Sequence, residues 1–595
     1  MKKIVLFLLA MFLVSSNAVA MNDNPFYDFA VDDLRYRILD SGNEVALTSG
    51  IGVEEGYGST LPEPNIVVPS TVTYNGYTYT VTAIDAYTFF NTPQLVSITF
   101  PETLTSIGEG AFCVCTNLVG PLDFPESLLT IAEGAFSGCT SLQGAFTLPK
   151  SLTSLGLNAF VGCDGITSVN YNCANCVSNA NIYTEKAIMP ASLTELVFGD
   201  SVKQIPANLA YGCSALTSLT IPNAVESIGS KAFYGCTSVT TVNWNAKHCT
   251  IANPLPASCA EINIGDEVEF IPNSMAEGTK ITSIVIPANV TTIIGNTFRD
   301  CSQLVSATFL NNSITTLPGQ LFENCSQLQS VNIPSSVTTV SVGVFRGCSS
   351  LTSVDIPSSV TTISFDAFMG CSSLRSIFIP ASVTSIRSQA FYECGGLASI
   401  EVEAGNTVYD SRGNCNAIIE SASNTLMTGC RNTVIPNTVV TIGQNAFAQC
   451  TEMTQMAIPS SVTSISNAAF SGCSGLTEIT IPQSVTTIAN MAFANCTGLI
   501  KITSLAQRPP SINSDNHTYP DNTTGTFLGV SKQTPVYVPK GSQQLYWVAQ
   551  GWNEFANIYE LEEQSEPNKC DVNGDGIVDI ADVNAVINAM LGKER

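Results

Sequence analysis

The chain has 595 residues, with 23 Lys and Arg against 48 Asp and Glu and a formal net charge of -25. A single ordinary core does not grow to this length, so several domains or a repeat array are expected. The acidic excess argues against nucleic acid or an anionic membrane as partner, because both need clustered positive charge. Only 12% of the residues are charged and 45% are hydrophobic, which also excludes a disordered acidic chain.

Residues 1–20 have the pattern of an export signal. Lys2 and Lys3 precede an apolar run from Ile4 to Val14, and small residues follow up to Ala18-Val19-Ala20. The run is too short to span a bilayer, and no later stretch has the length of a membrane helix. We therefore expect cleavage after Ala20 and a secreted protein, extracellular or on a bacterial cell surface, with no transmembrane segment.

Residues 21–85 contain runs in which apolar and polar side chains alternate. Examples are Phe29-Ala-Val31 and Tyr77-Thr-Tyr79-Thr-Val81. Alternation with period two is typical of half-buried strands. We predict an N-terminal β cap here, followed by a solenoid over residues 86–502.

The solenoid is predicted from a repeat of 23–24 residues. Beginning at Ile333, IPSSVTTVSVGVFRGCSSLTSVD is followed by IPSSVTTISFDAFMGCSSLRSIF and IPASVTSIRSQAFYECGGLASIE. Phe345, Phe368 and Phe391 keep this phase, and a Cys follows each of them by three residues. Most of the 21 cysteines occupy that one position, which indicates a buried structural ladder and not a disulfide framework.

One repeat cannot fold alone. In the strand-like run Leu351–Ile356 apolar residues alternate with polar ones, Pro357 ends the run, and Val360 and Ile363 point inward on the opposite wall. Burial of each large side chain contributes about 1.5–3 kcal/mol, whereas ordering costs about 1.5 kcal/mol per residue. Coils must therefore stack, which predicts a mainly β repeat solenoid with a parallel sheet.

The pattern IPxSVTxIxxxAFxxCxxLxxI resembles the BspA-like leucine-rich-repeat family of bacterial surface proteins, over about residues 60 to 500. The resemblance implies a right-handed solenoid with a parallel sheet on one face. It also implies attachment to an extracellular protein or glycan ligand of the host matrix, of host cells or of other bacteria.

Several segments depart from the repeat. Residues 169–176 and 242–249 are two copies of one variant coil, and the polar segment Asn406–Thr433 is expected to form a hairpin. Cys415 and Cys430 flank that hairpin and are candidates for a disulfide that would clip it. Residues 503–562 resemble the C-terminal capping unit of the same family, and residues 563–569 are expected to be a linker.

Groups suited to catalysis are few. His248 and His517 are the only histidines, and His248 occupies a position where the other variant coil has Asn175. Cys173-Ala-Asn-Cys176 has the C-x-x-C spacing of metal or redox sites, but the sequence shows no second pair and no nearby histidine. The outward strand positions of neighbouring coils do not place two carboxylates side by side, and a glycosidase would need such a pair. We therefore predict no catalytic residues and a non-enzymatic protein.

The last 26 residues, 570–595, contain a candidate calcium (Ca2+) site. The run from Asp571 to Asp582 fits the D-x-N-x-D-G loop, in which oxygen donors recur at fixed positions and a glycine, here Gly576, allows the sharp turn. Val583, Val586, Ile587, Met590 and Leu591 then follow at helical spacing. The predicted ligands are Asp571, Asn573, Asp575, the carbonyl of Ile577, Asp579 and Asp582.

This loop and the helix after it resemble one half of a type I dockerin. The family carries two such loops, and only one is present here; Ile580 and Ala581 also replace residues that are often Ser or Thr. The resemblance implies docking to a cohesin-like partner. The apolar residues at helical spacing after Asp582 form a stripe that must be covered. A second copy of the chain or the preceding cap could cover it instead of a cohesin-like partner.

Three functions follow from these patterns. The first is a binding protein that uses the extended face of the solenoid. The second is a scaffold component that docks through its tail, and the third, which the side chains favour least, is a polysaccharide-active enzyme.

Overall fold

The computed structural model describes residues 27–49, 57, 61, 63–180, 185–251, 254–310, 312–512 and 525–562. The predicted signal peptide at 1–20 and the predicted calcium loop at 571–582 lie outside these residues. The chain divides into two compact units, residues up to 304 with 308–314, and residues 305–307 with those from 315 onward.

The first unit consists of short strands joined by turns. Its strands are β1 (Phe29–Val31), β2 (Leu34–Ile38), β3 (Glu44–Thr48), β4 (Asn65–Val67), β5 (Thr71–Tyr74), β6 (Tyr77–Ile84), β7 (Ser97–Thr99), β8 (Ser106–Ile107), β9 (Thr130–Ile131), β10 (Gln143–Leu148), β11 (Ser154–Leu155), β12 (Gly165–Tyr171), β13 (Glu195–Phe198), β14 (Gln204–Ile205), β15 (Ser218–Ile221), β16 (Ser227–Ile228), β17 (Thr241–Trp244), β18 (Glu261–Ile264), β19 (Phe270–Ile271), β20 (Ser283–Ile286) and β21 (Thr292–Ile293).

Strand β22 (Ser306–Phe309) contains residues of both units. The second unit continues the pattern and adds one short helix. Its elements are β23 (Thr316–Leu317), β24 (Ser330–Val331), β25 (Thr339–Val340), β26 (Thr362–Ile363), β27 (Ser376–Ile379), β28 (Ser385–Ile386), β29 (Ser399–Val402), β30 (Tyr409–Asp410), β31 (Ala417–Glu420), β32 (Thr425–Gly429), β33 (Thr441–Ile442), β34 (Gln455–Ala457), β35 (Ser464–Ile465), β36 (Glu478–Ile481), β37 (Thr487–Ile488), β38 (Lys501–Ser504), β39 (Ser511–Ile512), β40 (Val536–Val538), α1 (Gln543–Val548) and β41 (Ile558–Glu560).

Both units are parallel β solenoids, as the repeat predicts. Most regular coils contribute a strand of two to four residues to one wall and a strand of two residues to the other. The strand-like run Leu351–Ile356 forms no strand in the structure, although its apolar residues are buried as the alternation predicts. On the first wall β15 pairs with β17 and β27 with β29, all in parallel. On the second wall β25, β26 and β28 form one parallel ladder. Inward side chains alternate with outward ones, so β27 buries Ile377 and Ile379.

A column of phenylalanines runs through the core between the two walls. The rings of Phe368 and Phe391 lie 5.4 Å apart and 2° from parallel. The repeat cysteines are buried beside this column, as predicted, but they also donate hydrogen bonds. The Cys371 thiol lies 3.2 Å from the carbonyl oxygen of Phe345, and the Cys394 thiol lies 3.1 Å from that of Phe368. Each thiol therefore joins its coil to the preceding one.

The turn that carries each phenylalanine needs left-handed backbone. The residue two positions before the phenylalanine has a positive φ, 58° at Asp366 and 62° at Gly343. Asp, Asn and Gly adopt this conformation at low cost. This requirement explains why short polar residues and glycine recur at a position that contributes little to the core.

The two ends of the array depart from the regular coil. At the N-terminal end β1, β2 and β3 are antiparallel, and β3 then pairs in parallel with β6. At the C-terminal end the rings of Phe493 and Phe527 stack at 5.5 Å, and Trp552 lies 5.5 Å beyond Phe527. Trp552 is buried and donates its indole N–H to the carbonyl oxygen of Pro510 at 3.0 Å. Large aromatic side chains thus cover the end of the phenylalanine column.

The predicted hairpin within Asn406–Thr433 is confirmed, since β31 and β32 pair in antiparallel fashion. The hairpin interrupts the solenoid of the second unit. Strand β32 pairs in parallel with β33, which belongs to the ladder of two-residue strands, so the hairpin is joined to the next coils of the solenoid. Gly429 lies against the next coil, where a Cβ atom would come within 2.2 Å of the Phe447 ring. A side chain at this position would displace the phenylalanine column.

Phe368→Ala tests the aromatic column. Phe368 is 0% exposed, so its removal leaves a cavity, and we expect a loss of about 3–5 kcal/mol of unfolding free energy. Phe365→Ala is the matched control, since Phe365 is three residues away and 50% exposed. Its effect should stay within about 0.5 kcal/mol. Urea unfolding measures the free energy of unfolding of both variants. Equal losses would contradict a stabilising role for the phenylalanine column.

The buried thiols predict that stability falls in alkali. Burial raises the pKa of Cys394 and that of Cys450 to about 12, from an ordinary 9.0. Above pH 9 the unfolded chain releases thiol protons that the folded chain retains, so the free energy of unfolding should fall as pH rises from 9 to 12. The slope for each such thiol is at most about 1.4 kcal/mol per pH unit. Urea unfolding between pH 7 and 11 should show that the free energy of unfolding falls less steeply with pH in Cys394→Ala than in the unmodified protein. An unchanged slope would contradict a raised pKa for the Cys394 thiol.

Candidate ligand-binding surface

The outward face of the last sheet of the second unit carries two tyrosines. Strands β36, β38, β40 and β41 are neighbours in this sheet, and their registers place Thr480, Thr503, Tyr537 and Tyr559 side by side in one row. The residues that alternate with these point inward, including Ile479, Ile502, Val536 and Ile558. Because these apolar side chains are buried, the tyrosines that alternate with them must point outward.

The tyrosines form an aromatic surface with one charged neighbour. The ring centroids of Tyr537 and Tyr559 lie 5.8 Å apart, and the ammonium of Lys501 lies 5.8 Å from the centroid of the Tyr537 ring. Lys501 also forms an ion pair with Glu478 at 3.5 Å. Tyr559 belongs to the last strand of this sheet among the described residues and is 48% exposed. Its ring can therefore contact a ligand directly.

A shallow depression of about 1100 Å³ lies over this face. Its lining combines the two rings and Leu505 with the polar side chains of Thr503 and Asn557. Aromatic rings supply contact area at low entropic cost, and the polar groups supply hydrogen bonds. Sequence reasoning assigned this region to the cap and did not identify it as a surface, because the two tyrosines are 22 residues apart and meet only through strand pairing.

One row on the outward face of the first unit consists of neutral side chains that are hydrogen-bonded across the strands. The amide of Asn243 lies 3.2 Å from the hydroxyl of Thr220, and the amide of Asn263 lies 3.2 Å from the carbonyl oxygen of the Asn243 side chain. These side chains come from β15, β17 and β18. These hydrogen bonds hold the polar groups of the row in fixed positions.

Carboxylates are separated from one another on the described strand faces. In the strand registers of the described residues no carboxylate lies opposite another; Glu195 lies opposite Ser168, and Glu261 lies opposite Thr241. Glycoside hydrolysis uses two carboxyl groups that flank the scissile bond. Cross-strand pairing therefore does not bring such a couple together in this part of the molecule.

Cys415 and Cys430 lie at the base of the hairpin, and both are free thiols in the structure. The Cys415 sulfur lies 3.9 Å from the carbonyl oxygen of Ala417, and the Cys430 sulfur lies 3.5 Å from that of Asn416. Each thiol thus has its own acceptor within the hairpin. The disulfide that their spacing predicts is not formed in this structure.

The other candidate side chains are either buried or on the surface. Cys173 and Cys176 are 0% exposed beside Tyr171, and burial raises the pKa of Cys173 well above its ordinary value. No group of three metal-binding side chains occurs among the residues that the structure describes. The side chain of His248 is 60% exposed, and its Nε2 atom lies 3.1 Å from a carboxylate oxygen of Glu269. His517 and the six predicted calcium ligands lie outside the described residues.

Comparison with known proteins identifies the family. The model for the BspA-type leucine-rich-repeat region matches residues 71–186, 181–305, 296–416 and 421–515. The chain belongs to this family. A search of curated proteins gave no significant match. Within the described residues, no helix combines the length and apolar character that crossing a membrane requires.

Several solved structures are similar to this BspA-type chain. A leucine-rich-repeat protein from Bacteroides ovatus is 24% identical over 77% of this chain and 95% of its own, with a TM-score of 0.43. A leucine-rich cell surface protein from Faecalibacterium prausnitzii is 27% identical over 66% and 97%, with a TM-score of 0.31. The pneumococcal vaccine antigen PcpA is 13% identical over 90% and 98%, with a TM-score of 0.26.

Proposed function

We propose that this protein is a secreted or cell-surface binding protein that holds an extracellular protein or glycan on the outward face of its solenoid. The pair of exposed Tyr559 and half-buried Tyr537 carries the proposal. Solenoid proteins characteristically bind ligands through the extended surface that their stacked repeats create. The N-terminal pattern of residues 1–20 supports export, and the family supports attachment to host matrix, host cells or other bacteria.

The chemistry of the face favours contact through rings and hydrogen bonds over contact through net charge. Lys501 is paired with Glu478, and the carboxylate of Glu560 accepts a hydrogen bond from the amide of Gly541 at 2.8 Å. Charges that are already paired contribute little to long-range attraction. The rings of Tyr537 and Tyr559 remain as the anchors, and aromatic side chains are frequent energetic centres of protein interfaces.

Tyr559→Ala tests the face. We expect the variant to lose ligand affinity about 30-fold or more, because an aromatic anchor commonly contributes about 2 kcal/mol. Tyr77→Ala, which removes a tyrosine that is 71% exposed on β6, is the control and should bind normally. Surface-immobilised mature protein should first be screened against matrix proteins, host-cell glycans and bacterial cells. Failure to find any saturable ligand, or equal losses in both variants, would reject this face.

We also propose that the tail binds calcium through Asp571, Asn573, Asp575, Ile577, Asp579 and Asp582. The spacing of these oxygen donors supports the proposal, because a calcium loop needs several oxygen donors around a sharp turn. Docking of the tail to a cohesin-like partner is the second candidate function. Its support is the likeness of residues 570–595 to half of a dockerin.

Asp575→Ala tests the metal site. Removing a ligand should weaken calcium binding at least 10-fold in calorimetry, whereas Asp355→Ala, an acidic change on a regular coil, should leave it unchanged. Deletion of residues 570–595 should abolish calcium binding and any calcium-dependent complex. If calcium binds but deletion changes neither surface retention nor complex formation, the tail is a calcium-stabilised terminus and the docking proposal fails.

A further inference from the structure

One coil of the first unit is shorter than its neighbours. Strands β15 and β17 pair with a spacing of 23 residues, Ser218 opposite Thr241, whereas β17 and β18 pair with a spacing of 20, Thr241 opposite Glu261. The loss falls in the turn after Ile251. Eight residues separate Ser227 from Cys236 in the preceding coil, whereas four residues separate Ile251, which lies opposite Ser227, from Pro256 in the short coil. Leu255 takes the place of the phenylalanine: it is buried, and its amide donates to the carbonyl oxygen of Met275 at 2.9 Å.

The short turn leaves a slot between the coils on either side of it. The slot has a volume of about 630 Å³ and is lined mainly by apolar atoms, with Pro254, Pro256 and Ala257 forming its floor. Tyr234 lines one wall, and Glu277 and Gly278 line the other. These walls belong to coils two steps apart, so they are separated by about 10 Å. That width admits one flat ring with van der Waals contact on both sides.

Tyr234 presents an open ring face to this slot. Its ring stacks on Tyr211 of the preceding coil at 5.5 Å and 23°, which covers the face directed away from the slot. The side chain is nevertheless 62% exposed. The negative face of an aromatic ring attracts the slightly positive C–H groups of a sugar ring. Tyr234 therefore offers a stacking platform for a pyranose.

The short turn also leaves a backbone donor at the slot without its usual acceptor. In the preceding coil the amides of Ala210 and Gly212 donate to the carbonyl oxygens of Ala232 and Tyr234, at 2.8 and 2.7 Å. The equivalent amides of Phe233 and Gly235 donate to no carbonyl oxygen of a described residue, and of these two residues only Gly235 lines the slot. Gly235 has a φ of 79°. The amide of Gly235 can donate to an oxygen of a ligand.

The charged side chains at the slot include two lysines, in a chain with few basic residues. Lys231 and Lys280 both line it. Lys231 is 3.7 Å from Glu185, and Glu277 is 3.9 Å from Arg299, so both of these charges have partners outside the slot. Lys280 has no ion pair with any described residue and is exposed. The charge that remains to meet a ligand is therefore positive.

We propose that this slot binds one carboxylate-bearing sugar residue of an acidic glycan. The pyranose ring stacks on the free face of Tyr234, and its carboxylate accepts a hydrogen bond from the amide of Gly235 and pairs with Lys280. An aromatic side chain of a protein would fill the same width, but it would leave the Gly235 amide and the lysine unpaired. The site is separate from the Tyr537–Tyr559 face and does not depend on its function.

The test is calorimetric titration of the mature protein with oligosaccharides that contain glucuronate or sialate, beside neutral oligosaccharides of the same length. We expect saturable binding of an acidic oligosaccharide and at least 10-fold weaker binding of the neutral one. Tyr234→Ala should weaken binding at least 10-fold. Ala257→Trp, which fills the slot at an exposed position without removing any binding group, should do the same. Lys280→Met should weaken binding several-fold and reduce its dependence on salt.

Tyr392→Ala is the matched control, because Tyr392 occupies the same position after the phenylalanine in a coil that has no short neighbour of this kind. It should bind normally, as should Tyr559→Ala, which separates this site from the proposed sheet face. Circular dichroism of each variant checks that it is folded. The proposal is overturned if no acidic oligosaccharide binds, if neutral sugars or acidic peptides bind equally well, or if binding survives both Tyr234→Ala and Ala257→Trp.

Discussion

Contact between successive coils is the interaction on which the rest of the structure depends. One coil buries too few side chains to offset the entropy of ordering its backbone. Stacking supplies the deficit in three ways: parallel strand ladders on both walls, a column of aromatic rings such as Phe368 on Phe391, and thiols such as Cys371 that donate to the preceding coil. All three repeat with the same period, which explains why the sequence must repeat as well.

The same constraint accounts for the unusual composition. Hydroxyl side chains donate to carbonyl groups of the coil before them, as Ser359 does to Val337 at 2.7 Å and Thr361 does to Thr338 at 3.2 Å. Serine and threonine therefore satisfy backbone acceptors at the edges of the walls without introducing charge. A protein built in this way needs few ion pairs between coils, and its 12% of charged residues is sufficient.

Binding surfaces arise at two kinds of position: where a side chain does not take part in coil stacking, and where a coil differs in length from its neighbours. Outward strand positions are free, and Tyr537 and Tyr559 use that freedom to form an aromatic surface. One coil is three residues shorter than its neighbour, and the coils on either side of it face each other across a slot at Tyr234. Both sites are held in place by a core that is common to every coil, so each can change without loss of the fold.

The sequence by itself determined the coil, its period and its inward residues, because each of these depends on spacing along the chain. It also indicated the hairpin at Asn406–Thr433 and buried cysteines. The tertiary structure alone decided which distant residues meet: Tyr537 with Tyr559, and Tyr234 with the wall at Glu277. It likewise showed that the cysteine thiols are donors to other coils and that Cys415 and Cys430 are not bridged. The physical reason is that lateral neighbours in a solenoid are about one period apart, so a small change in coil length redirects contacts that no local pattern records.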